Sequence, residues 1–370
     1  MNAKTTTHKI TLLPGDGVGP EVTDIARQVL VAVGERHGRR FDFDTHLIGG
    51  CAIDATGDPL PKESLDACQR SDAVFLGAVG GPKWDKGARR PEQGLLALRK
   101  ALGVFANIRP LKIHAALIDK SPLKREIIEG ADMVVFRELT GGSYFGEKKR
   151  SADEASDLCI YTSEEVARIA RAAFKAARGR RNKVTSVDKA NVMETSKLWR
   201  EVVIRVQQEE FPEVELEHVL IDAMTMHVLR TPRAYDVILT ENMFGDILSD
   251  ELSALAGSLG LSPSASIGSS GPGLFEPVHG SAPDIAGRDL ANPAGAVLSA
   301  AMLLRYGLGL HTEASAIENA VAGAFDEGAA TRDIGGSLGC HAMGAVILDN
   351  IGRDRRGGAR GSDRARMHWG

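Results

Sequence analysis

The sequence has no long hydrophobic run and no large excess of charge of one sign. Of its 370 residues, 43% are hydrophobic and 25% are charged, and the formal net charge is −4. No stretch is long and apolar enough to suggest a membrane span, and the balanced charge gives no electrostatic reason to expect binding to nucleic acid or a membrane. We expect a globular protein with room for two domains.

Cysteine is scarce, and the cysteines follow no metal-ligand spacing. They are Cys51, Cys68, Cys159 and Cys340. The segment 1–9 is polar and lacks the apolar core of a signal sequence, so we expect reduced thiols in a cytoplasmic protein. The arginine-rich segment 353–370 is predicted to be a flexible, solvated tail rather than an arm that binds nucleic acid.

The sequence also lacks the glycine fingerprint of a Rossmann fold. The turn at 14–19 follows a predicted strand and precedes a predicted helix, and its glycines are Gly15, Gly17 and Gly19. The fingerprint requires its third glycine one position later, where this chain has Pro20. We predict no Rossmann site here and interpret the segment as a tight strand-to-helix turn.

Apolar runs of strand length alternate with helical patterns, which predicts an α/β fold. Strands are predicted at 9–13, 41–48, 72–77, 106–110, 131–137, 183–187, 215–221 and 235–239. Helices are predicted at 20–33, 61–70, 91–102, 163–178 (with Ser163 as its cap), 195–209, 292–305, 315–327 and 341–350. The loop at 78–84 is expected to be flexible, and the segments 147–157, 258–273 and 276–287 to have little regular structure.

Two aspartates lie on one face of the helix that follows the strand at 235–239. Asp246 and Asp250 are four residues apart, so their Cβ atoms are about 6 Å apart on a helix. Asp246 is expected in the first turn, where the helix dipole favours a carboxylate. The pair can form half of a site for a hard divalent cation, although spacing alone favours a solvated helix that carries two acids.

Polar side chains follow several predicted strands at their carboxyl ends, where α/β folds place ligand chemistry. They are Arg109, Arg137, Lys189, Asp222 and Asp246. The two arginines, with Arg99 on a helix, could neutralise a di- or tricarboxylate. Asp222, Asp246 and Asp250 could supply oxygen ligands to Mg²⁺ or Mn²⁺, with Lys189 as a base and Tyr144 as an acid. Each residue alone also fits a salt bridge or a core position, and only their joint occurrence favours a site.

Five motifs carry a family resemblance. They are Glu92-x-x-Leu-Leu-x-x-Arg99, Phe136-Arg-Glu-Leu-Thr-Gly-Gly-Ser-Tyr-Phe-Gly146, Val187-Asp-Lys-Ala-Asn191, Asn242-Met-Phe-Gly-Asp-Ile-Leu-Ser-Asp-Glu251 and His279-Gly-Ser-Ala-Pro-Asp-Ile-Ala-Gly287. In this order they resemble the isocitrate/isopropylmalate dehydrogenase family of metal-dependent β-decarboxylating dehydrogenases. The likeness covers roughly residues 10–350.

The resemblance implies a two-domain α/β fold with a large mixed sheet flanked by helices, distinct from a Rossmann fold. It places a cofactor domain at 1–104 with 257–352, and a domain for substrate, metal and dimerisation at 105–256. The implied reaction is NAD-dependent oxidative decarboxylation of (2R,3S)-3-isopropylmalate to 4-methyl-2-oxopentanoate and CO₂ in leucine biosynthesis. The alternative within the family is a tartrate or D-malate enzyme.

The resemblance also implies roles for the polar residues. Arg99, Arg109 and Arg137 would hold the carboxylates of the substrate, and one Mg²⁺ or Mn²⁺ would bind Asp222, Asp246 and Asp250. Lys189 would assist removal of the hydroxyl proton and Tyr144 would help protonate the product. In a homodimer with shared sites, Lys189 and Asp222 would come from the partner subunit. The segment 147–157 stands where the family has an intersubunit arm.

Specificity and cofactor choice are implied in the same way. Leu95 and Leu96 would cover an isopropyl group, and Glu92 would discourage a third carboxylate. The implied NAD-contacting residues are Val79, Gly80, Gly81, Glu92, Asn191, His279, Gly280, Ser281, Ala282, Pro283, Asp284, Ile285 and Asn292. Asp284 would accept hydrogen bonds from the adenosine ribose and repel the 2′-phosphate of NADP.

Two functions of other classes remain open from the residues. Aspartate pairs on helices also bind Mg²⁺-diphosphate in prenyl-transfer enzymes, but those folds are all-α and this chain has many apolar strands. A non-catalytic regulatory subunit of the same family is the other possibility. Such a subunit is expected to lack some of the metal or base residues, and the chain keeps all of the matched positions.

Overall fold

The computed structural model describes residues 7–353. The predicted tail therefore lies outside the described residues, except for Arg353 at the end of the last helix. None of the described helices is long and apolar enough to cross a membrane. All four cysteines are free thiols.

The described residues form twelve strands and twelve α-helices. The strands are β1 (Thr7–Gly15), β2 (Arg40–Thr45), β3 (Ala73–Ala78), β4 (Ala106–Lys112), β5 (Asp132–Glu138), β6 (Lys148–Arg150), β7 (Ala155–Asp157), β8 (Lys183–Asp188), β9 (Glu215–Leu220), β10 (Val237–Thr240), β11 (Pro263–Ile267) and β12 (Gly273–Pro277). The helices are α1 (Gly19–His37), α2 (Gly50–Thr56), α3 (Lys62–Arg70), α4 (Pro91–Leu102), α5 (Arg125–Ile128), α6 (Ser163–Arg178), α7 (Glu194–Glu210), α8 (Ile221–Arg230), α9 (Asn242–Leu255), α10 (Ala294–Met302), α11 (His311–Asp326) and α12 (Cys340–Arg353).

The described chain divides into two compact units. The first comprises residues 7–103 and 257–353, and the second comprises residues 104–256. The first unit is thus built from two separate stretches of the chain. The roles that the sequence assigns to the two domains stay predictions.

The first unit carries five strands in the order β2-β1-β3-β12-β11. All neighbouring pairs are parallel except β11 with β12. Every residue of β3 is buried, as expected for a parallel strand covered by helices on both faces. Helix α10 is buried along its whole length, because α1 and α11 also pack against it. This arrangement gives the first unit a hydrophobic core.

The second unit carries five strands in the order β4-β5-β10-β8-β9, with β4 antiparallel to β5 and the other pairs parallel. Its core includes Met133, Met224, Ile238 and Leu248, which come from two strands and two helices. A separate antiparallel hairpin joins β6 to β7. The α/β class with mixed sheet and flanking helices is confirmed, and it is not a Rossmann fold.

Four elements contradict the predicted irregular segments. The hairpin β6–β7 is fully exposed and charged, so no apolar alternation marked its strands. Strand β11 lies within the segment 258–273, and β12 runs from the end of that segment into the segment 276–287. Ser264 and Ser266 of β11 are buried. The hydroxyl of Ser264 donates to the carbonyl of Glu276 at 3.0 Å, which lets small polar residues occupy an interior strand. Helix α2 was not predicted because it is short and starts at a glycine.

Two helix starts also differ from the prediction. Thr162, not Ser163, caps α6: its hydroxyl accepts a hydrogen bond from the amide of Glu165, whose carboxylate accepts one from the amide of Thr162. Asp246 is not in the first turn of α9, because that helix begins at Asn242. The first turn is satisfied by Glu241, whose carboxylate accepts from the amide of Phe244 at 2.7 Å.

Candidate active site

Arg137 is the most buried of the predicted substrate-binding residues, with 2% of its side chain exposed. It stands near the end of β5, and its Nε and Nη2 atoms both donate to Oδ1 of Asn242, at 3.1 and 2.8 Å. Its Nη1 atom forms an ion pair with Asp246. The guanidinium is therefore held in one orientation by a neutral amide and a carboxylate on the same face of α9.

Tyr144 shares this carboxylate. Its hydroxyl donates to Oδ2 of Asp246 at 2.8 Å, and the guanidinium of Arg137 lies over its ring. Burial and the neighbouring Asp246 carboxylate raise the pKa of Tyr144 to about 12. The phenol is consequently protonated at neutral pH, which is the state that a proton donor needs.

Arg109 also contacts α9, but from a position in its strand that the sequence did not predict. It lies in the middle of β4, opposite Val135, because β4 runs antiparallel to β5. It was expected at the carboxyl end of a strand, and that placement is wrong. Its Nη1 atom donates to the hydroxyl of Ser249 at 2.7 Å and lies 3.1 Å from Oδ1 of Asp250. The antiparallel strand brings its side chain to α9 from mid-strand.

Lys189 and Asp222 form a second group in the same unit. Lys189 follows β8 and Asp222 lies in the first turn of α8, and Nζ of the lysine is 2.7 Å from Oδ1 of the aspartate. The hydrogen bond from Lys189 lowers the pKa of Asp222 below its ordinary value. Asp222 is therefore a carboxylate at neutral pH and can act as a metal ligand.

The three aspartates predicted to bind a metal are not gathered within one chain. Among residues 7–353, Asp222 does not join Asp246 and Asp250 in a group whose carboxylate oxygens all lie within 4.8 Å of one another. The side chains of Asp222 and Asp250 are 64% and 57% exposed, and that of Asp246 is 33% exposed. Accessible carboxylates are the ligands that Mg²⁺ and Mn²⁺ prefer, so the donor chemistry fits a divalent cation.

Helix α4 presents the predicted specificity residues in the first unit. Leu95 and Leu96 are half-buried and Glu92 is exposed, whereas Leu98 lies in the core. Arg99 is buried, and its Nη2 atom donates to Oε1 of Glu276 at 2.8 Å. Its Nε atom is buried without a hydrogen-bond partner among the described residues, so one donor of Arg99 is left for a further acceptor.

The predicted cofactor residues lie mostly in two loops of the first unit. Gly80 is buried and Val79 and Gly81 are half-buried in the loop after β3. In the loop after β12, Ser281 is buried, Ala282 and Ile285 are half-buried, and Gly280, Pro283 and Asp284 are exposed. Asn191 is exposed in the second unit, in the turn after β8.

Two predicted cofactor residues already have partners within the chain. Asn292 is buried; its Nδ2 atom donates to Asp333 and its Oδ1 atom accepts from the amide of Ala294, both at 3.0 Å. The ring of His279 bonds to the carbonyl of Gly280 at 2.9 Å, and burial lowers its pKa. His279 is therefore neutral, and its Nε2 atom has no partner among the described residues.

The loop at 78–84 is anchored at both ends, contrary to the expectation of a flexible loop. The amide of Gly80 donates to Asp16 at 2.9 Å. At the other end, Lys83 and the indole of Trp84 donate to the carboxylate of Asp54, at 2.6 and 3.1 Å. Asp54 belongs to α2, so the far end of the loop is hydrogen-bonded to a helix that the sequence did not predict.

Three further residues were missed by the sequence reasoning. Asn242 orients Arg137, and its position four residues before Asp246 on one helix face was a signal that could have identified it. Glu276 pairs with Arg99 from a strand that was read as loop, and Asp16 lies in a turn to which no site was assigned. For these two, only the tertiary contacts reveal the role.

Comparisons with known proteins agree with this arrangement. The chain matches the family described as isocitrate/isopropylmalate dehydrogenase over residues 9–347. A protein named 3-isopropylmalate dehydrogenase from Rhodopirellula baltica is 55% identical over 353 residues, which cover 92% of this chain and 98% of that protein. One of the same name from Anaeromyxobacter dehalogenans is also 55% identical, over 95% of this chain and 100% of that protein.

Solved structures give the same result. An isocitrate dehydrogenase from Methylococcus capsulatus has a TM-score of 0.84 with 36% identity, over 93% of this chain and 99% of that chain. A β-decarboxylating dehydrogenase from Thermococcus kodakarensis has a TM-score of 0.78 with 39% identity, over 95% and 100%. The class of protein is thus a decarboxylating dehydrogenase. The chain belongs to the isocitrate/isopropylmalate dehydrogenase family, and the family expected from the motifs is confirmed.

Proposed function

We propose that this protein catalyses the NAD-dependent oxidative decarboxylation of 3-isopropylmalate in leucine biosynthesis. The observation that carries the proposal is the cluster of Arg109, Arg137, Tyr144, Asp246 and Asp250, in a chain about half identical to enzymes of that name along nearly their whole length. A tartrate or D-malate enzyme is not favoured by the relatives.

The chain's own residues account for substrate binding. Arg109 and Arg137 present fixed guanidinium groups to the carboxylates of the substrate, and bidentate contact of this kind selects a planar anion. Leu95 and Leu96, which are half-buried on α4, would cover the branched alkyl group. The exposed carboxylate of Glu92 would repel the additional carboxylate of isocitrate.

The divalent cation would be held by Asp222, Asp246 and Asp250. When bound, it supplies a Lewis acid that stabilises negative charge on the substrate's 2-oxygen. With Asp222 bound to the cation, Lys189 would act in its neutral form and take up the hydroxyl proton as C2 is oxidised, for which NAD would serve as the hydride acceptor. After the bond to the departing CO₂ breaks, the phenol of Tyr144 would deliver a proton to C3. Its raised pKa keeps that proton in place until it is needed.

The preference for NAD follows from Asp284. Its carboxylate is exposed in the loop after β12, where it would accept hydrogen bonds from the hydroxyls of the adenosine ribose. A 2′-phosphate at that point would meet a like charge. We therefore expect NAD rather than NADP to be the cofactor.

A cytoplasmic homodimer is the proposed working form. Asp222, which is paired with Lys189, is not grouped with Asp246 and Asp250 among residues 7–353, so a partner subunit would complete each site. The second unit also exposes large apolar side chains on α8, on α9 and in the turn after β8: Met226 is 58% exposed, Ile247 59% and Val192 69%. Exposed apolar side chains of this kind are typical of a surface that a partner covers.

The experiment is a comparison of specificity constants with NAD and Mg²⁺ on 3-isopropylmalate, isocitrate, D-malate and tartrate. The value for 3-isopropylmalate is expected to be the highest. A higher value for any of the other three would refute the substrate assignment. NADH production that is absent with all four substrates, with metal present, would instead indicate a non-catalytic family member.

A further inference from the structure

The glycine-rich turn at 14–19 is the one sequence motif to which the proposed function gives no role. It connects β1 to α1 and contains Asp16, which is only 5% exposed. The carboxylate of Asp16 accepts three backbone hydrogen bonds: Oδ1 from Cys51 at 2.7 Å, and Oδ2 from Gly50 at 2.7 Å and Gly80 at 2.9 Å. A buried carboxylate with three amide donors is a strong local anchor.

These three amides belong to two different segments. Gly50 and Cys51 begin α2, while Gly80 lies in the first loop implied to bind the cofactor. The amide of Asp16 itself donates to the carbonyl of Ala78 at 2.8 Å, just before Gly80. Asp16 therefore holds the start of the first cofactor loop twice: its backbone amide binds Ala78 and its side chain binds Gly80.

The same turn also reaches the second cofactor loop. The amide of Val18 donates to the carbonyl of Ser281 at 2.8 Å. Gly17 has φ of +59°, and a Cβ atom there would lie 1.9 Å from the oxygen of Ser281, so only glycine permits this approach. Four residues further on, the carboxylate of Glu21 in α1 accepts a hydrogen bond from the amide of Gly287. The turn and the start of α1 thus contact both loops.

We propose that Asp16 is a positioning residue for the cofactor site, because its turn fixes Gly80 in one loop and Ser281 in the other and so sets the distance between them. The inference rests on the proposed cofactor role of the two loops. Asp16 does not touch the cofactor in this proposal. It acts through the amide of Gly80, and the glycines of the turn serve close packing instead of phosphate binding.

The test is Asp16→Asn in the full-length protein. The variant keeps one acceptor oxygen but turns an amide donor toward a backbone donor, so at least one of the three hydrogen bonds is lost. The Kd for NADH, measured by fluorescence titration without substrate, is expected to rise about tenfold. The KM for NAD is expected to rise with it, while the KM for 3-isopropylmalate changes less than about twofold, because the hydrogen bonds to the Asp16 carboxylate come from Gly50, Cys51 and Gly80, none of which is a proposed substrate-binding residue.

Asp236→Asn is the matched control. Asp236 is also buried, and it accepts a backbone hydrogen bond, from Arg181 at 2.7 Å, as well as one from the guanidinium of Arg180. It lies in the second unit, and its partners Arg180 and Arg181 belong to that unit as well. Its substitution is expected to lower thermal stability and leave the Kd for NADH unchanged. An equal rise in Kd for both variants would overturn the inference.

Two further results separate this inference from the proposed function. Normal NADH binding by the wild-type protein and by Asp16→Asn overturns the role of Asp16 alone. Failure of the wild-type protein to bind NADH overturns the cofactor assignment, and the inference falls with it. Should Asp16→Asn not fold, hydrogen exchange of the wild-type protein decides: the Gly80 amide is expected to be protected before NADH is added, and exchange at the rate of an open loop would refute the anchor.

Discussion

Lys189 and Asp222 are joined by an ion pair, with Nζ of the lysine 2.7 Å from Oδ1 of the aspartate, while Asp246 and Asp250 are paired with Arg137 and Arg109. One unit of one chain therefore carries two groups of candidate catalytic residues. If the homodimer shares its active sites, each site takes one group from each subunit. A dimer formed from two different inactive variants would then contain one intact site.

The prediction is complementation between two inactive variants. Lys189→Ala and Asp246→Asn should each be nearly inactive alone. After they are unfolded together and refolded, mixed dimers contain one site with both defects and one intact site. Because random pairing puts about half of the protein in mixed dimers, the mixture should regain about a quarter of the wild-type rate. A mixture as inactive as its components would show that the sites are not shared.

Asp250→Asn should separate metal binding from folding. The side chain is more than half exposed, so we expect the thermal midpoint to change by only a few degrees. Loss of a charged oxygen ligand should lower kcat/KM about 100-fold and raise the Mg²⁺ concentration that gives half-maximal rate. Glu251→Gln, the next residue on α9, is the control and should keep normal Mg²⁺ dependence. Unaltered Mg²⁺ dependence in Asp250→Asn would contradict the ligand assignment.

Asn242→Ala should disturb substrate binding through Arg137. The Nε and Nη2 atoms of Arg137 lose the acceptor that both now share, and the guanidinium can rotate. The loss of a hydrogen bond to a buried charged group costs about 1.5–3 kcal/mol, so the KM for 3-isopropylmalate should rise about tenfold or more. Asn350→Ala removes a partly buried side-chain hydrogen bond in the other unit and should leave this KM unchanged. Equal effects would assign Asn242 a general structural role.

Asp284→Lys combined with Ile285→Tyr should shift the cofactor preference toward NADP. The change replaces a carboxylate with a cation where the 2′-phosphate would lie. The ratio of kcat/KM for NADP to that for NAD should rise at least about tenfold. The single variant Asp284→Asn removes the repulsion without adding attraction and should give an intermediate ratio. An unchanged preference in the double variant would refute the placement of the adenosine ribose.

His218 predicts part of the pH dependence of stability. Neither ring nitrogen has a hydrogen-bond partner among the described residues, and burial lowers the pKa of His218 below its ordinary value. The unfolded chain therefore binds more protons than the folded chain just below pH 6.5, so stability falls as the pH drops through about 6.5 toward the folded pKa.

His218→Gln tests this dependence. The fall in the urea midpoint between pH 7.5 and pH 5.5 should be smaller in the variant than in the wild type, because one source of linkage is removed. His311→Gln changes an exposed histidine and should preserve the wild-type fall. An identical fall in His218→Gln would contradict the assignment.

Much of the fold followed from local pattern. Helix α4 spans the predicted residues Pro91–Leu102 and α6 the predicted Ser163–Arg178, because apolar residues recur at helical spacing in both and Pro91 marks the start of α4. The family also followed from sequence, since long motifs in a set order carry more information than any single residue. Strands β11 and β12 did not follow, because buried serines and glycine show no apolar alternation.

The site divides in the same way. The sequence by itself determined which residue types are present and that Asp246 and Asp250 share a helix face, because helical spacing is local. Only the tertiary structure decided that β4 is antiparallel, so that Arg109 meets α9 from mid-strand. It also decided that Asn242 orients Arg137, that Glu276 pairs with Arg99, and that Asp16 holds Gly80. These contacts join residues far apart in the chain, and their partners are set by strand order and direction, which no local pattern encodes.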